Sequence, residues 1–163
     1  VTKSADIRIR LARFPEDTAT ARGFLMALQR YEHAFEPNRR TDQAVAEEYL
    51  AVLRERAEKD NGIFIAENRA CTPLGWAVIY PDSSEVYVIE EERNWGRLTE
   101  LFVEAEARGQ GVGRALIGAC EDWARACGFK HIIIGALAEN DLALYVYQAS
   151  GFTPYAMLLR KYL

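Results

Sequence analysis

The chain has 163 residues, 50% of them hydrophobic and 27% charged, with 20 basic against 24 acidic side chains and a formal net charge of −4. A chain of this size buries roughly two thirds of its unfolded surface, enough for one core without disulfide or metal staples, and its composition excludes a wholly disordered protein. The acidic balance argues against a general nucleic-acid binder, which would repel phosphates across its footprint, and favours a cationic small molecule as partner.

Ile7, Ile9 and Leu11 alternate with Arg8 and Arg10, the period of a half-buried strand. Pro15 opens a helix to about residue 33, with Ala21, Phe24, Leu25, Leu28 and Tyr31 on one apolar face. The segment 35–40 breaks it. A second helix starts near Thr41, carries Val45, Tyr49, Val52 and Leu53 inward, and ends before Asn61-Gly62. Strands are predicted at 63–67 and 75–80, joined as a hairpin through Cys71-Thr72-Pro73. Residues 81–84 read as a turn, Val86 to Ile89 as a strand and Glu90 to Arg93 as a solvated charge run. Leu98 to Val103 forms the next strand, and Gly109 to Gly113 leads into a helix ending near Gly128 whose inner face holds Leu116, Cys120, Trp123 and Cys127. Ile132 to Leu137 suits a fully buried strand, 140–150 a helix stopped by Gly151, and Tyr155 to Lys161 a final strand. This order predicts one mixed α/β layered domain over residues 1–163, without linker, repeat or low-complexity tract.

Three cysteines at scattered positions make no disulfide framework and fit a reducing compartment. The start, VTKSADIRIRLAR, lacks the apolar run of a signal peptide, and no apolar stretch approaches a bilayer span, so a soluble, cytoplasmic protein is expected. Only His33 and His131 are present, and no cysteine pair has zinc spacing, so no metal is expected.

The most informative stretch is Arg108-Gly109-Gln110-Gly111-Val112-Gly113-Arg114, between a strand and a helix. Alternating glycines expose backbone N–H groups, and the helix start adds unpaired donors and the positive end of its dipole. This is a phosphate cradle. Gly113 is followed by Arg114 and Ala115 instead of Lys-Ser/Thr, which excludes a nucleotide-triphosphate loop, and the third glycine of a dinucleotide fingerprint is missing.

At these residues the chain resembles the GNAT superfamily of acetyl-coenzyme A dependent N-acetyltransferases, whose signature Arg/Gln-x-x-Gly-x-Gly/Ala is matched by Arg108 to Gly113. Asn140-x-x-Ala143-x-x-Val146-Tyr147, closing in Gly151-Phe152, is similar to the family's second signature. Ala105 stands where the family often has proline, and Val146 and Ala149 replace its commoner leucine and lysine. The resemblance implies the acyl-CoA N-acyltransferase fold, a central, mostly antiparallel sheet with splayed parallel strands flanked by helices. It also implies acetyl-CoA as co-substrate, with the pyrophosphate on backbone N–H groups of 109–114 aided by Arg108 and Arg114. Asn140 and Tyr147 join that coenzyme site. The pantetheine arm would pair with Leu101, Phe102 and Val103 as an added strand, and the N–H of Phe102 or Val103 would hold the oxyanion.

The same resemblance places Tyr147 as the acid for departing thiolate, with Tyr145 as the competing tyrosine on another helix face. Glu100 is the candidate base and Glu104 a weaker second. The acceptor would border the first two helices, at Glu32, Glu36 and Arg39. The two glutamates suit a cation, whereas Arg39 and Arg40 suit a carboxylate or phosphate. The implied activity is transfer of acetyl to a primary amine of a small molecule or peptide, by direct attack in a ternary complex. A non-catalytic acyl-CoA binding or sensing domain is the alternative. Relatives often dimerise through C-terminal elements, which allows a homodimer through Ala156 to Leu159.

Overall fold

In the computed structural model, residues 7–163 are described; the first six, part of the stretch read above for a signal peptide, lie outside the described residues. The elements are β1 (Arg8–Leu11), α1 (Thr18–His33), α2 (Gln43–Ala57), β2 (Ile63–Glu67), β3 (Pro73–Ser83), α3 (Glu90–Arg93), β4 (Asn94–Val103), α4 (Val112–Ala126), β5 (Ile132–Ile134) and α5 (Asp141–Ala149). The strands form one sheet in the order β1-β2-β3-β4-β5, antiparallel throughout except for the parallel pair β4-β5.

Alternation along the strands divides the core between the two faces of the sheet. On one face Phe24, Leu25, Leu50 and Leu53 of α1 and α2 pack on Ile65, Trp76, Val78 and Phe102. On the other, Leu116, Ile117, Cys120 and Trp123 of α4 pack on Ala77, Ile79 and Leu98, joined at its margin by Val146, Tyr147 and Phe152. The result is three layers, as the order of elements predicts.

Two features of β4 create a cleft. Val78 pairs with Glu100 but Ile79 with Leu98, so Thr99 is an extra residue, a β-bulge. Leu98 therefore faces α4, while Glu100 and Phe102 face α1 and α2. Pairing of β4 with β5 covers only Gly96 to Leu98 against Ile132 to Ile134. Beyond the bulge the two parallel strands part, leaving one edge of β4 open.

Several expectations are corrected. Val86 to Ile89 is not a strand: β3 and β4 already close the hairpin at Ser83 and Asn94, and Arg93 draws the connection into a turn through the carbonyls of Val86 and Val88. Val86, Tyr87 and Ile89 are exposed, and 90–93 is a helical turn. The first helix begins at Thr18 instead of Pro15. In α2 the inward residues are Ala46, Leu50, Leu53 and Ala57; Tyr49 is half-buried and Val52 exposed. β5 has three half-buried residues and is not fully buried. Cys127 is exposed at the end of α4, whereas Cys120 is buried and its thiol pushed up to about 12 by burial. No strand forms over 155–161; Pro154 lacks a ladder donor, and the segment finds no paired edge.

Candidate active site

The glycine turn is built as a cradle. Gly109 and Gly111 adopt φ of 71° and 88°, a region L side chains rarely enter, and a Cβ on either would meet nothing within 4 Å. The space above the turn is open. Gly111 caps α4, whose first N–H groups have no carbonyl a turn earlier, and no backbone carbonyl among the described residues takes the N–H of 109–111. Gln110 folds back, its Nε2 donating to Glu106 O at 2.7 Å. Arg108 lies along the end of β4, with Nε donating to Val103 O at 3.0 Å and its guanidinium 5.4 Å from the Tyr31 ring.

The bulge also decides which backbone groups line the open edge. Glu104 N donates to Leu74 O, toward β3. N–H and C=O alternate in direction along a strand, so Phe102 points its N–H at β3 as well, whereas Leu101 and Val103 point theirs into the gap. Val103, reached from the open side by Arg108, agrees. Of the two residues offered above for the oxyanion, Phe102 is thereby corrected: its N–H belongs to the ladder and its ring to the core, 5.7 Å from that of Phe24.

Glu100 sits just past the bulge, 5% exposed, and Tyr49 Oη donates to its Oε1 at 2.7 Å. Burial pushes its carboxyl up to about 7; the Tyr49 hydrogen bond lowers it, Glu32 raises it and Arg39 lowers it. Tyr147 is half-buried, its ring 5.9 Å from Phe152 in edge contact, while Tyr145 is 71% exposed. Burial raises the Tyr147 phenol, and Glu32 and Glu100 raise it further. Tyr147 thus packs with the α4 side of the sheet yet feels carboxylates of the opposite face, as a residue does at the parting of β4 and β5.

Glu32, Glu36 and Arg39 come together beside this cleft, but as a mutual ion cluster. Arg39 Nη1 is 2.8 Å from Glu32 Oε2 and its Nε 3.0 Å from Glu36 Oε2, while Arg160 reaches Glu36 Oε1 at 2.8 Å. Burial raises the Glu32 carboxyl, opposed by Arg39 and reinforced by Glu36. Arg40 turns away to Asp42 and Glu48. Asn140 is buried; its Oδ1 caps α5 through Ala143 N at 3.2 Å and accepts from Tyr31 Oη at 3.2 Å, tying α1 to α5 across the open gap. Tyr49 is the site residue without a sequence signal, since it reads simply as an inward position of an amphipathic helix.

Residues 23–152 match the acetyltransferase (GNAT) family. The chain belongs to that family. It is similar to an IAA acetyltransferase of Azospirillum brasilense, 28% identical over 89 residues that cover 55% of this chain and 53% of that protein. The chain thus spans about half the length of that relative. Among solved structures it is similar to a mutant of the BH1408 protein from Bacillus halodurans, with TM-score 0.81, 16% identity, and 96% and 99% of the two chains covered. Another is the aminoglycoside N-acetyltransferase AAC(6')-Iy in complex with CoA, with TM-score 0.68, 21% identity, and 99% and 98% covered. These likenesses establish the acetyltransferase fold, with its mixed sheet between helices. Among the described residues no helix is long and apolar enough to cross a membrane.

Proposed function

We propose that this GNAT protein moves the acetyl group of acetyl-CoA to a primary amine by direct attack in a ternary complex. The observation that carries the reading is Glu100: a buried carboxylate raised to about 7, set where β4 leaves β5 and exposes its edge. An alkylamine of pKa about 10.4 is neutral at pH 7 only to roughly one part in 2,500, a handicap of about 4.6 kcal/mol. A base poised near neutrality is suited to remove that proton, directly or through water.

The remaining groups fit the same reaction. Gly109, Gln110, Gly111, Val112, Gly113 and Arg114 would receive the coenzyme's pyrophosphate on backbone N–H groups, and the open edge at Leu101 and Val103 would receive its pantetheine arm. Because Arg108 now holds Val103 O, its guanidinium would exchange that carbonyl for phosphate when the coenzyme binds. The amine nitrogen bonds to the acetyl carbon, its proton passing to Glu100, while the N–H of Val103 stabilises the oxyanion. The C–S bond then breaks and Tyr147 protonates the thiolate. Asn140 holds the start of α5, and so the placing of Tyr147.

For the acceptor, the walls offer Glu32 and Glu36 with Arg39 between them. This supports a small-molecule or peptide amine that carries cationic character and displaces part of the Arg39 pairing. The test is a screen of amino acids, polyamines, aminoglycosides and lysine peptides with acetyl-CoA, reading free thiol. Release that depends on one class of amine and matches acetylated product is expected. Tight coenzyme binding without release by any amine would favour the acyl-CoA sensor instead.

A further inference from the structure

Tyr49 reaches the cleft from α2, 51 residues away in sequence from the carboxylate it touches. Its ring packs against the core between α1, α2 and the sheet, so the hydroxyl is delivered from a fixed wall. We propose that Tyr49 is a positioning residue for acetyl transfer: its hydroxyl, donating to Glu100 Oε1 at 2.7 Å, fixes the carboxylate and leaves Oε2 to take the proton of the incoming amine. This rests on the reading of Glu100 as the base.

The physical need for such a residue follows from burial. A carboxylate enclosed without a donor keeps its proton and is useless as a base at neutral pH; a hydroxyl donating to it favours the ionised form. The charged and titratable groups facing Glu100 are Glu32 of α1, which disfavours ionisation, Arg39 of the loop after α1, which favours it, and Tyr147 of α5. Thr99, next to it on β4, lies beside Tyr49 and lowers its phenol, and Tyr80 of β3 lies beside Tyr49 with its hydroxyl taken by Arg56 Nη1 at 3.0 Å. Among the described residues only Tyr49 donates a side-chain hydrogen bond to Glu100. During transfer the proton passes from the amine nitrogen to Oε2, and the Tyr49 O–H stays intact.

The first test needs no acceptor. Carboxyl carbons of ¹³C-labelled protein are titrated by NMR, with Glu100 assigned as the resonance missing from Glu100→Gln. The wild-type midpoint is expected near 7, and in Tyr49→Phe about one pH unit higher. A midpoint that stays put or falls overturns the proposal. An upward move from an ordinary carboxylate midpoint overturns instead the reading of Glu100 as the base, and the positioning role with it.

Coupling is reciprocal, so in Glu100→Gln the Tyr49 phenol is expected to ionise at lower pH than in the wild type, where Glu100 helps hold it up. This titration stands even if Tyr49→Phe fails to fold, and an unmoved phenol contradicts the proposal. With an amine that turns over, the wild-type to Tyr49→Phe ratio of kcat/KM is expected to be about fivefold at pH 7 and to close toward unity by about pH 10. A ratio independent of pH would mark a tyrosine that only packs.

Discussion

Tyr147 is caught between two demands. In the acid role proposed for it, Tyr147 must hold its proton until the thiolate leaves, and burial with nearby Glu32 and Glu100 favours that by raising the phenol. Yet even an ordinary tyrosine at about 10 delivers a proton to a thiolate of about 8.5 uphill by roughly 2 kcal/mol, and every rise steepens that climb. Proton transfer concerted with C–S cleavage would resolve the conflict. Tyr147→Phe is therefore expected to lower kcat by about a hundredfold while coenzyme A binds as before, checked by steady-state rates beside calorimetry. Unchanged kcat would remove Tyr147 from the chemistry.

Glu100 carries a cost in stability whose sign is fixed. Its folded carboxyl lies above the unfolded value of 4.5, so the native state retains a proton that the unfolded chain releases, and stability falls as pH rises from about 4.5 through 7. The rise from 4.5 to about 7 corresponds to about 3 kcal/mol. Urea unfolding of wild type and Glu100→Gln is expected to favour the variant progressively from pH 5 to pH 8. A difference constant over that range would mean that Glu100 is not a near-neutral group. The positions of Tyr147 and Glu100 at the cleft are legible from the motif and its strand. That of Tyr49 is not, because the contact joins residues 51 apart and no local pattern encodes it.

At the scale of elements, the working unit is β4 with the turn that follows it. The bulge at Thr99 exchanges both the faces and the edges of the strand, so Glu100 faces α1 and α2 while Val103 opens its N–H to the gap. Sequence alternation alone cannot reveal such a change, since Leu98, Glu100 and Phe102 keep an even spacing across it. The glycine turn was legible because its geometry needs glycine: Gly111→Val places a branched side chain at φ 88° and in the open space above the turn. Calorimetry should find coenzyme A affinity reduced by at least about a hundredfold, with the fold retained by circular dichroism. Retained affinity would contradict the cradle. The two apolar runs at 86–89 and 155–161 misled for a shared reason: β-propensity describes a chain that has a paired edge to join, and neither segment has one here.

At the scale of the molecule, the net charge of −4 first suggests a cationic ligand, yet the cradle suits an anion. The two are compatible because charge acts locally. Backbone donors and the α4 dipole would serve phosphate at one end of the cleft, while Glu32, Glu36 and Glu100 gather at the other, beside the first helix. The layered fold follows from the order of amphipathic elements. The parting of β4 from β5, which unites the two ends, depends on how far β5 continues; the apolar run predicts 132–137, and the strand spans only Ile132–Ile134.

The most direct measurement is acetyl-CoA dependent thiol release at pH 7 by wild type and Glu100→Gln, with the best amine from the screen. Wild type should release thiol in step with acetylated amine, and Glu100→Gln should be slower by about a hundredfold or more at unchanged coenzyme affinity. Equal rates in the two proteins would contradict the assignment of this buried carboxylate as the base of an amine acetyltransferase.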